Sequence, residues 1–303
     1  MVRVTLPSML AEWKEQGFVI LPELLSPADL GPAVGELGLM FPSPEGFHDG
    51  SDPRRSRFLD DEFNGIDSFP FASVEVSLLA LHPKIISLAS SLLGTDDIRV
   101  YGAESWAKYT GATSYDQDLH RDYLGHTLLV PSPEFRQVEM FVYLVDVPEE
   151  LGPPHLVPRK HTCRLPAVPN WFPRSGSGTD SDFVAAGSPD LYTHEVSAAG
   201  PAGTVVAFEA GTFHRGTELS QPRGARYSMH LNFRRAADDW AIRQGWAERS
   251  HSREWYSFVE RACARQLGLF GFPPPGHPYW TDETLAGMAL RYPGLDLSPW
   301  QSA

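Results

Sequence analysis

The middle of the chain follows a period of two residues, and this pattern constrains the fold more than any other feature. From about residue 97, apolar residues alternate or run together in IRVYGAESWAKYT, VEMFVYLVDV, GTVVAFEAG and RYSMHLNFRR. Successive side chains of a strand point to opposite faces, so these segments are typical of half-buried strands. Gly, Pro and Asp separate them, as turns require. The pattern predicts a central antiparallel sheet or barrel.

Helical patterns flank these strands on both sides. LPSMLAEWKEQGF and HPKIISLASSLLG carry apolar residues at helical spacing, and each ends at a glycine suited to a helix C-cap. REWYSFVERACARQLGLF returns to helical spacing near the carboxyl end. Helices, then strands, then helices predict an α+β chain with a mainly β core.

The order of these elements predicts a single domain rather than several. We place a single domain over 1–303, with its core at about 15–235 and a helical extension over 236–303. Segment 163–200 is rich in Pro, Ser, Gly and Asp and is too long for a simple turn. Loops of that length are usually lids or binding loops, so a lid-like loop is expected there.

Charge and cysteine content narrow the choice of partners. The formal net charge is −13, which disfavours nucleic acid, because phosphate binding needs clustered Lys and Arg. No signal peptide and no apolar run of about 18 residues is visible, so no membrane association is expected. Cys163 and Cys263 lack metal-site spacing and indicate a reducing, cytoplasmic location. A small molecule is therefore the expected partner. The protein is expected to be a monomer or a homodimer.

The segment DLHRDYLGHTLLVP contains the first candidate for metal chemistry. His120 and Asp122 lie two residues apart at a strand end, so both side chains point to the same side, and Arg121 points away. A chain with 11 His and 38 acidic residues contains such a pair roughly once by chance. His126 lies nearby, but a pocket or surface role suits it better than a ligand role. The motif alone therefore does not establish a metal site.

A second segment, GTVVAFEAGTFHRGTELSQPRGARYSMHLNFRR, supplies the missing partners. A strand runs into a turn that carries His214, and the next strand begins at Arg226. Arginine is rarely buried unpaired, so an arginine at the head of an inward-facing row indicates a bound carboxylate. Arg223, in the turn QPRGAR, is the rival for this role, although a solvated arginine is usual there. His120, Asp122 and His214 together match the two imidazoles and one carboxylate of a non-haem iron site.

With these residues in this order, the chain resembles the phytanoyl-CoA dioxygenase family of Fe(II)- and 2-oxoglutarate-dependent oxygenases. The resemblance is collinear over roughly residues 15 to 235. It is carried by GFVILPELLSPADL, HPKIISLASSLLGTDDIRV, SWAKYTGATSYDQDLHRDY, FVYLVDVPEELGPPHLVPRKHT, and GTVVAFEAGTFHRGT followed by ARYSMHLNFR. Any one segment is weak, whereas five in order are fairly specific.

The resemblance implies a double-stranded β-helix (jelly-roll) barrel flanked by helices at both termini. It also implies that His120, Asp122 and His214 bind Fe(II), with O₂ and 2-oxoglutarate as co-substrates. Arg226 would then bind the distal carboxylate of 2-oxoglutarate, and Lys108 aligns with a lysine near the co-substrate in some members. Related halogenases have a small residue where Asp122 stands, so the resemblance favours a hydroxylase, or a desaturating or ring-forming variant, over a halogenase.

Two departures and two alternatives accompany this interpretation. Arg121 stands where many members have glutamine, and PRKH replaces the usual PGSH, a more basic and less flexible turn. One alternative is a cupin-like metalloenzyme that does not use 2-oxoglutarate. The other is a non-catalytic barrel that binds a small molecule.

The substrate is expected to be mainly apolar, with candidate pocket residues Trp106, Phe141, Tyr143, Trp171 and Phe172.

Overall fold

The structure is a computed structural model of the chain. It describes residues 5–61, 63–113, 115–122, 135–165, 171–172, 189–238 and 252–301.

Helices lie before and after the strands, where their sequence patterns predict them. In chain order the α-helices are α1 Leu6–Gln16, α2 Pro27–Gly35, α3 Leu37–Met40, α4 Pro44–His48, α5 Val74–Ala80, α6 Pro83–Leu93, α7 Arg159–Thr162, α8 Arg253–Arg261, α9 Ala264–Gly268, α10 Asp282–Arg291 and α11 Ser298–Gln301. Short 3₁₀ helices occupy Pro53–Phe58, Glu149–Leu151 and Pro189–His194. Gly17 and Gly94 end α1 and α6 in the left-handed conformation, with φ of 82° and 72°. The predicted glycine C-caps are confirmed.

The strands form two antiparallel sheets. In chain order they are β1 Phe18–Leu21, β2 Ile66–Ser68, β3 Ile98–Tyr109, β4 Leu119–His120, β5 Gln137–Tyr143, β6 His155–Leu156, β7 Trp171–Phe172, β8 Val196–Ser197, β9 Val205–Glu209, β10 His214–Arg215 and β11 Ala225–Arg235. Among the described residues, the large sheet has the order β1-β9-β5-β11-β3-β2 and the small sheet the order β7-β4-β10-β6-β8. An α+β chain with an antiparallel core between helices is therefore confirmed.

The strand pair β3–β11 has the longest pairing in the large sheet. Its register runs from Ala225 opposite Tyr109 to Arg235 opposite Ile98, with one irregularity between Asn232 and Phe233. Because side chains alternate along β11, its apolar residues enter the main core on one face, and its polar residues line the other. The buried apolar set is Tyr227, Met229, Leu231 and Phe233. Of the polar residues, Arg226, Ser228 and His230 face the pocket described below.

The amino-terminal helices cover the core and fix its position through tyrosine hydroxyls. Tyr109 and Tyr227 each donate a hydrogen bond of 2.7 Å to the carbonyl oxygen of Pro42, between α3 and α4. The stretch Val74–Leu93 is long and apolar enough to cross a membrane by length and composition alone. It is mostly buried inside the protein and comprises α5 and α6, as expected of core helices.

The described part of the carboxyl-terminal extension is helical, as predicted. The Phe258 ring on α8 packs edge-on against Phe69 at 4.9 Å between centroids. Arg261 forms an ion pair of 2.5 Å with Glu75 of α5. Residues 236–238 and 252–301 of the predicted extension are described, and the helical pattern expected over 239–251 lies outside the described residues. The extension thus packs on the same helices that cover the sheet.

Candidate metal centre and its pocket

The small sheet brings the three predicted metal ligands together. His120 ends β4, His214 begins β10, and the two residues lie directly opposite each other in the antiparallel register. The Asp122 carboxylate lies between them, with Oδ1 3.5 Å from His120 Nε2 and Oδ2 3.3 Å from His214 Nε2. The strand pairing explains how residues more than ninety positions apart in sequence become neighbours.

Both imidazole rings are oriented by backbone carbonyls. His120 Nδ1 lies 2.7 Å from the Asp118 carbonyl oxygen, and His214 Nδ1 lies 3.1 Å from the Thr212 carbonyl oxygen. A carbonyl can only accept a hydrogen bond, so each Nδ1 carries the proton that it donates. The Nε2 atoms therefore face Asp122. In metal-binding histidines the ring nitrogen that does not bind the metal commonly donates a hydrogen bond in this way.

The charge state of His214 depends on Asp122. His214 is only 2% exposed, and burial by itself lowers the pKa of an imidazole. The negative charge and hydrogen bond of Asp122 outweigh that burial, so the pKa of His214 is raised. Metal binding needs the neutral imidazole, so a metal would replace a proton at this site.

The donor set fits a divalent iron. The ligand atoms of His120, Asp122 and His214 all lie within 4.8 Å of one another. Two nitrogen donors and one carboxylate on one side of a metal are the set used by non-haem Fe(II) oxygenases. A second set, Asp122, Glu139 and His230, meets the same distance criterion and shares Asp122. That set has two carboxylates and one imidazole, which does not match the donors of a non-haem Fe(II) oxygenase, so the first set is the better candidate.

A cavity of about 370 Å³ opens next to these ligands, between the two sheets. The small sheet contributes the metal-ligand candidates, and the large sheet contributes Lys108, Arg226, Ser228 and His230. Trp106, Phe141 and Tyr143, which the sequence indicated as pocket residues, also line it. This volume is within the range of small-ligand sites.

One end of the cavity is basic. Lys108 and Arg226 are cross-strand neighbours on β3 and β11, with exposures of 2% and 7%. Arg226 Nη1 donates a hydrogen bond of 3.3 Å to the Leu151 carbonyl oxygen. Lys108 Nζ lies 4.5 Å from the centre of the Tyr115 ring. Two buried cations side by side provide a binding place for a carboxylate.

Arg121 points away from the cavity, as its place between two ligands requires. Its guanidinium lies 4.4 Å above the Phe213 ring, and the residue is 5% exposed. Phe213 belongs to a small apolar cluster with Leu119, Val157 and Leu191. The arginine therefore has a packing role behind the small sheet, through its stacked guanidinium. Arg121 is not among the described residues that line the cavity.

A network of ion pairs connects β10 to the strands beside it. The Arg215 guanidinium lies 2.6 Å from Glu195 and 2.5 Å from Asp116. His155 on β6 lies 2.7 Å from Glu149 and 3.3 Å from the same Glu195. Hydrogen bonding to Glu195 raises the pKa of His155, although burial opposes it, and Glu149 adds to the rise. The network fixes the strand that carries His214.

The remaining candidates fall outside the cavity or outside the described residues. Arg223 is exposed and pairs with Asp49 at 2.7 Å, so it behaves as the solvated arginine expected of a turn. His161 and His194 stack on each other at 3.7 Å. His126 lies outside the described residues, and so do the side chains of Trp171 and Phe172, whose backbones pair with β4 as β7.

Parts of PRKH and of the predicted lid-like loop form a helix and strands. PRKH supplies the N-cap, Pro158, and the first three residues of α7, and Arg159 pairs with Glu209 at 2.6 Å. Within segment 163–200, residues 166–170 and 173–188 lie outside the described residues. The described remainder adds β7 and β8 to opposite edges of the small sheet. A role as a lid stays a prediction.

Sequence reasoning missed two acidic residues near the cavity. Glu104 lines it, and Glu139 is fully buried next to His230. A signal was available for both. Glu104 alternates with Trp106 and Lys108 on β3, and Glu139 is an isolated carboxylate within the apolar run VEMFVYLV. Their partners lie on another strand, which a local pattern does not identify.

Comparison with known proteins agrees with this geometry. Residues 13–225 match the family described as phytanoyl-CoA dioxygenase (PhyH). No curated protein sequence matches the chain. Among solved structures, the epimerase SnoN in complex with Fe3+, alpha ketoglutarate and nogalamycin RO aligns with a TM-score of 0.55 and 20% identity, over 79% of this chain and 86% of SnoN.

Two further structures show the same fold. The alpha ketoglutarate dependent carbocyclase SnoK from nogalamycin biosynthesis aligns with a TM-score of 0.55 and 20% identity, over 82% of this chain and 94% of SnoK. EvdO2 from Micromonospora carbonacea var. aurantiaca, complexed with 2-oxoglutarate, aligns with a TM-score of 0.54 and 17% identity, over 81% of this chain and 95% of EvdO2. The predicted jelly-roll fold is confirmed. With most of its length matched, the chain belongs to the phytanoyl-CoA dioxygenase (PhyH) family.

Proposed function

We propose that the protein is an Fe(II)- and 2-oxoglutarate-dependent dioxygenase that hydroxylates an unactivated C–H bond of a small, mainly apolar molecule. One observation carries the proposal: His120, Asp122 and His214 meet at a cavity whose opposite wall holds Arg226 and Lys108. A metal-ligand set and a buried carboxylate site in one cavity are what this chemistry needs. Membership of the PhyH family supports the same conclusion.

Each residue has a defined task in this proposal. His120, Asp122 and His214 hold the iron, and the carbonyls of Asp118 and Thr212 keep both imidazoles in the binding tautomer. Arg226 binds the distal carboxylate of 2-oxoglutarate, and Lys108 adds positive charge beside it. When bound, iron and 2-oxoglutarate supply the oxidising chemistry that acts on the C–H bond, with release of succinate and CO₂.

The protein also excludes water and positions the substrate. Phe141, Tyr143 and Trp106 line the cavity and present apolar surface to its contents. The Tyr143 hydroxyl is already used, because it donates a hydrogen bond of 2.8 Å to the Ala198 carbonyl oxygen. Burial raises the pKa of Tyr143, so the ring stays neutral and acts as a wall. The C–H bond that reacts is then the one that these side chains hold close to the metal-ligand candidates.

Asp122 supports hydroxylation over halogenation. Its carboxylate lies between the two imidazoles, within 3.5 Å of each Nε2. The halogenases that resemble this chain have a small residue at this position instead. SnoN and SnoK are named an epimerase and a carbocyclase, and their low identity limits the likeness to the fold. We therefore propose a hydroxylase, with desaturation or ring formation as variants of the same hydrogen abstraction. A carrier-free substrate is favoured, because the net charge of −13 is unfavourable for the phosphates of a CoA ester.

The location follows from the thiols. Cys163 and Cys263 are both free and exposed, which supports a reducing compartment, and we propose the cytoplasm.

The test is succinate release from 2-oxoglutarate across a panel of small apolar compounds, with iron and O₂ supplied. We expect succinate formation that depends on both iron and 2-oxoglutarate, and a hydroxylated product from at least one compound. Asp122→Ala should abolish the reaction, whereas Asp49→Ala, on an exposed carboxylate, should leave it unchanged. Iron binding without any effect of 2-oxoglutarate would contradict the proposal and favour the cupin-like alternative.

A further inference from the structure

The strand pair β3–β11 places opposite charges at the two ends of the cavity wall. On β3, Glu104, Trp106 and Lys108 alternate and line the same cavity. Their cross-strand partners on β11 are His230, Ser228 and Arg226, in that order. Lys108 and Arg226 form the basic end, and the backbone of Glu104 lies four residues along β3 from that of Lys108, about 13 Å away. The Lys108 side chain extends towards Trp106, with Nζ 5.1 Å from its ring centre. The wall is therefore polarised.

The acidic end, here Glu104 with Trp106, Phe63 and Ile66, combines one carboxylate with aromatic surface. Trp106 Nε1 donates a hydrogen bond of 3.3 Å to Glu104 Oε2, which holds the carboxylate beside the indole ring. Phe63 meets Trp106 edge-on at 6.0 Å between ring centres, and Ile66 is the cross-strand neighbour of Trp106. Phe63 is 51% exposed, so this end lies on the open side of the cavity.

No cation of the protein neutralises Glu104 within the described ranges, where no Lys or Arg lies within salt-bridge distance of it. The nearest basic partner by register is His230. His230 Nε2 instead lies 3.1 Å from Glu139 Oε2, on the neighbouring strand β5. Glu139 and His230 therefore form a pair of their own, and Glu104 is the carboxylate that lines this end of the cavity.

We propose that the acidic end is a subsite for a positively charged amino group of the primary substrate. The inference rests on the proposed function, because it assigns the basic end to 2-oxoglutarate and leaves the acidic end for the compound that is oxidised. A cation is attracted by the Glu104 carboxylate. The Trp106 indole already has Lys108 Nζ 5.1 Å from its ring centre, so Glu104 is the group that attracts a substrate cation. An anionic compound would be repelled there. The substrate class is an apolar molecule with a protonated or quaternary amine.

This subsite also fixes the direction of the substrate. An amino group is repelled by Lys108 and Arg226 and attracted by Glu104, so the two ends cannot be exchanged. The apolar body then lies along Trp106 and Phe141, towards the metal-ligand candidates. A single carboxylate therefore contributes both to affinity for amines and to the choice of the C–H bond that reacts.

The test compares three probes of similar size: 2-phenylethylammonium, 2-phenylethanol and phenylacetate. Their binding to the full chain, supplied with Zn(II) and 2-oxoglutarate, is measured by ligand-observed NMR without turnover. We expect the ammonium probe to bind about tenfold more tightly than the alcohol, as for a charge-assisted contact with a partly buried carboxylate. Phenylacetate should bind more weakly than both.

Glu104→Gln keeps the size of the side chain and removes its charge. It should abolish the preference for the ammonium probe and leave alcohol binding unchanged, which also shows that the cavity is intact. Glu283→Gln, on the exposed first turn of α10, is the matched control and should keep the preference. Should Glu104→Gln fail to fold, Trp106→Phe replaces it, and the affinity for the ammonium should fall more than that for the alcohol.

Equal binding of ammonium and alcohol by the wild type would overturn the subsite, as would a preference that survives Glu104→Gln, or tightest binding of phenylacetate. The visible absorption of the anaerobic Fe(II)–2-oxoglutarate complex reports separately on the proposed function. A normal absorption band without ammonium preference removes the subsite alone. Ammonium preference without the band supports the subsite and contradicts the oxygenase.

Discussion

The two sheets hold their share of the site in different ways. In the large sheet, Arg226 and Lys108 sit in a strand pair whose register extends over the whole of β11. In the small sheet, His120 and His214 lie on strands of two residues each, joined by a single pair of opposing positions. Long pairing leaves little freedom to the first group. The second group depends on side-chain contacts, namely the Arg215–Glu195 and His155 ion pairs.

The two sheets therefore position different parts of the site. The groups assigned to 2-oxoglutarate and to the substrate are placed by backbone register, which tolerates polar substitutions nearby. The groups assigned to iron are placed by short strands, ring-orienting carbonyls and ion pairs. Substitutions in the large sheet should therefore change stability or one binding constant, whereas loss of polar contacts in the small sheet should affect the metal site.

The largest expected effect on stability comes from the core of the large sheet. Phe233 on β11 is 1% exposed, and Phe233→Ala leaves a cavity where the ring was. The free energy of unfolding should fall by about 3–5 kcal/mol in a chemical denaturation series. Val196→Ala, at a 38% exposed position on β8 of the small sheet, should change it by less than about 0.5 kcal/mol. Equal losses in both variants would contradict the division between the sheets.

The next effect concerns the arginine at the basic end. Arg226→Ala should weaken 2-oxoglutarate binding by about 2–5 kcal/mol, because a buried charge pair with the co-substrate is lost. Calorimetric titration of the Fe(II)-loaded, anaerobic protein measures it. Arg223→Ala is the matched control, since Arg223 is 57% exposed and pairs with Asp49, and it should leave the affinity unchanged. The reverse result would move the co-substrate site to Arg223.

The smallest effect is a pH dependence in the small sheet. Glu195 and Glu149 raise the pKa of His155 in the folded protein above its unfolded value of about 6.5. The stabilisation by protonated His155 is therefore complete below that unfolded pKa and is lost as pH rises through the folded pKa. Replacement His155→Gln should lower the free energy of unfolding more at pH 6 than at pH 9.

Denaturation at the two pH values gives the comparison, with the exposed His194→Gln as control. A difference between wild type and His155→Gln that grows with pH would show that this imidazole is stabilised in its neutral form. The ion pairs around β10 would then not fix the metal-ligand strand in the manner inferred from the geometry.

The sequence predicted those parts of the site that depend on local patterns. Alternation along β11 placed Arg226 and His230 on the pocket face, and the spacing of His120 and Asp122 placed both on one side of a strand end. Contacts between distant segments could not be found in this way. Arg121 became intelligible only once Phe213, which packs beneath its guanidinium, was located.

The acidic residues show the same limit. Glu104 accepts a hydrogen bond from Trp106, and Glu139 pairs with His230. The position of Glu104 relative to the basic end and the pairing of Glu139 arise only after the strands pair. Their sequence signal was present as charged residues within strand patterns. Local sequence does not specify which polar residue on one strand faces which on the next, because register is set by the whole sheet.

The visible absorption of the protein with Fe(II) and 2-oxoglutarate under anaerobic conditions reports directly on the proposed metal centre. We expect a weak metal-to-ligand charge-transfer band for the wild type, because the facial ligand set leaves room for the keto acid. In Asp122→Ala the band should be lost, while Asp49→Ala, at an exposed carboxylate, should retain it. No band in the wild type, or an undiminished band in Asp122→Ala, would contradict the assignment of His120, Asp122 and His214 to iron.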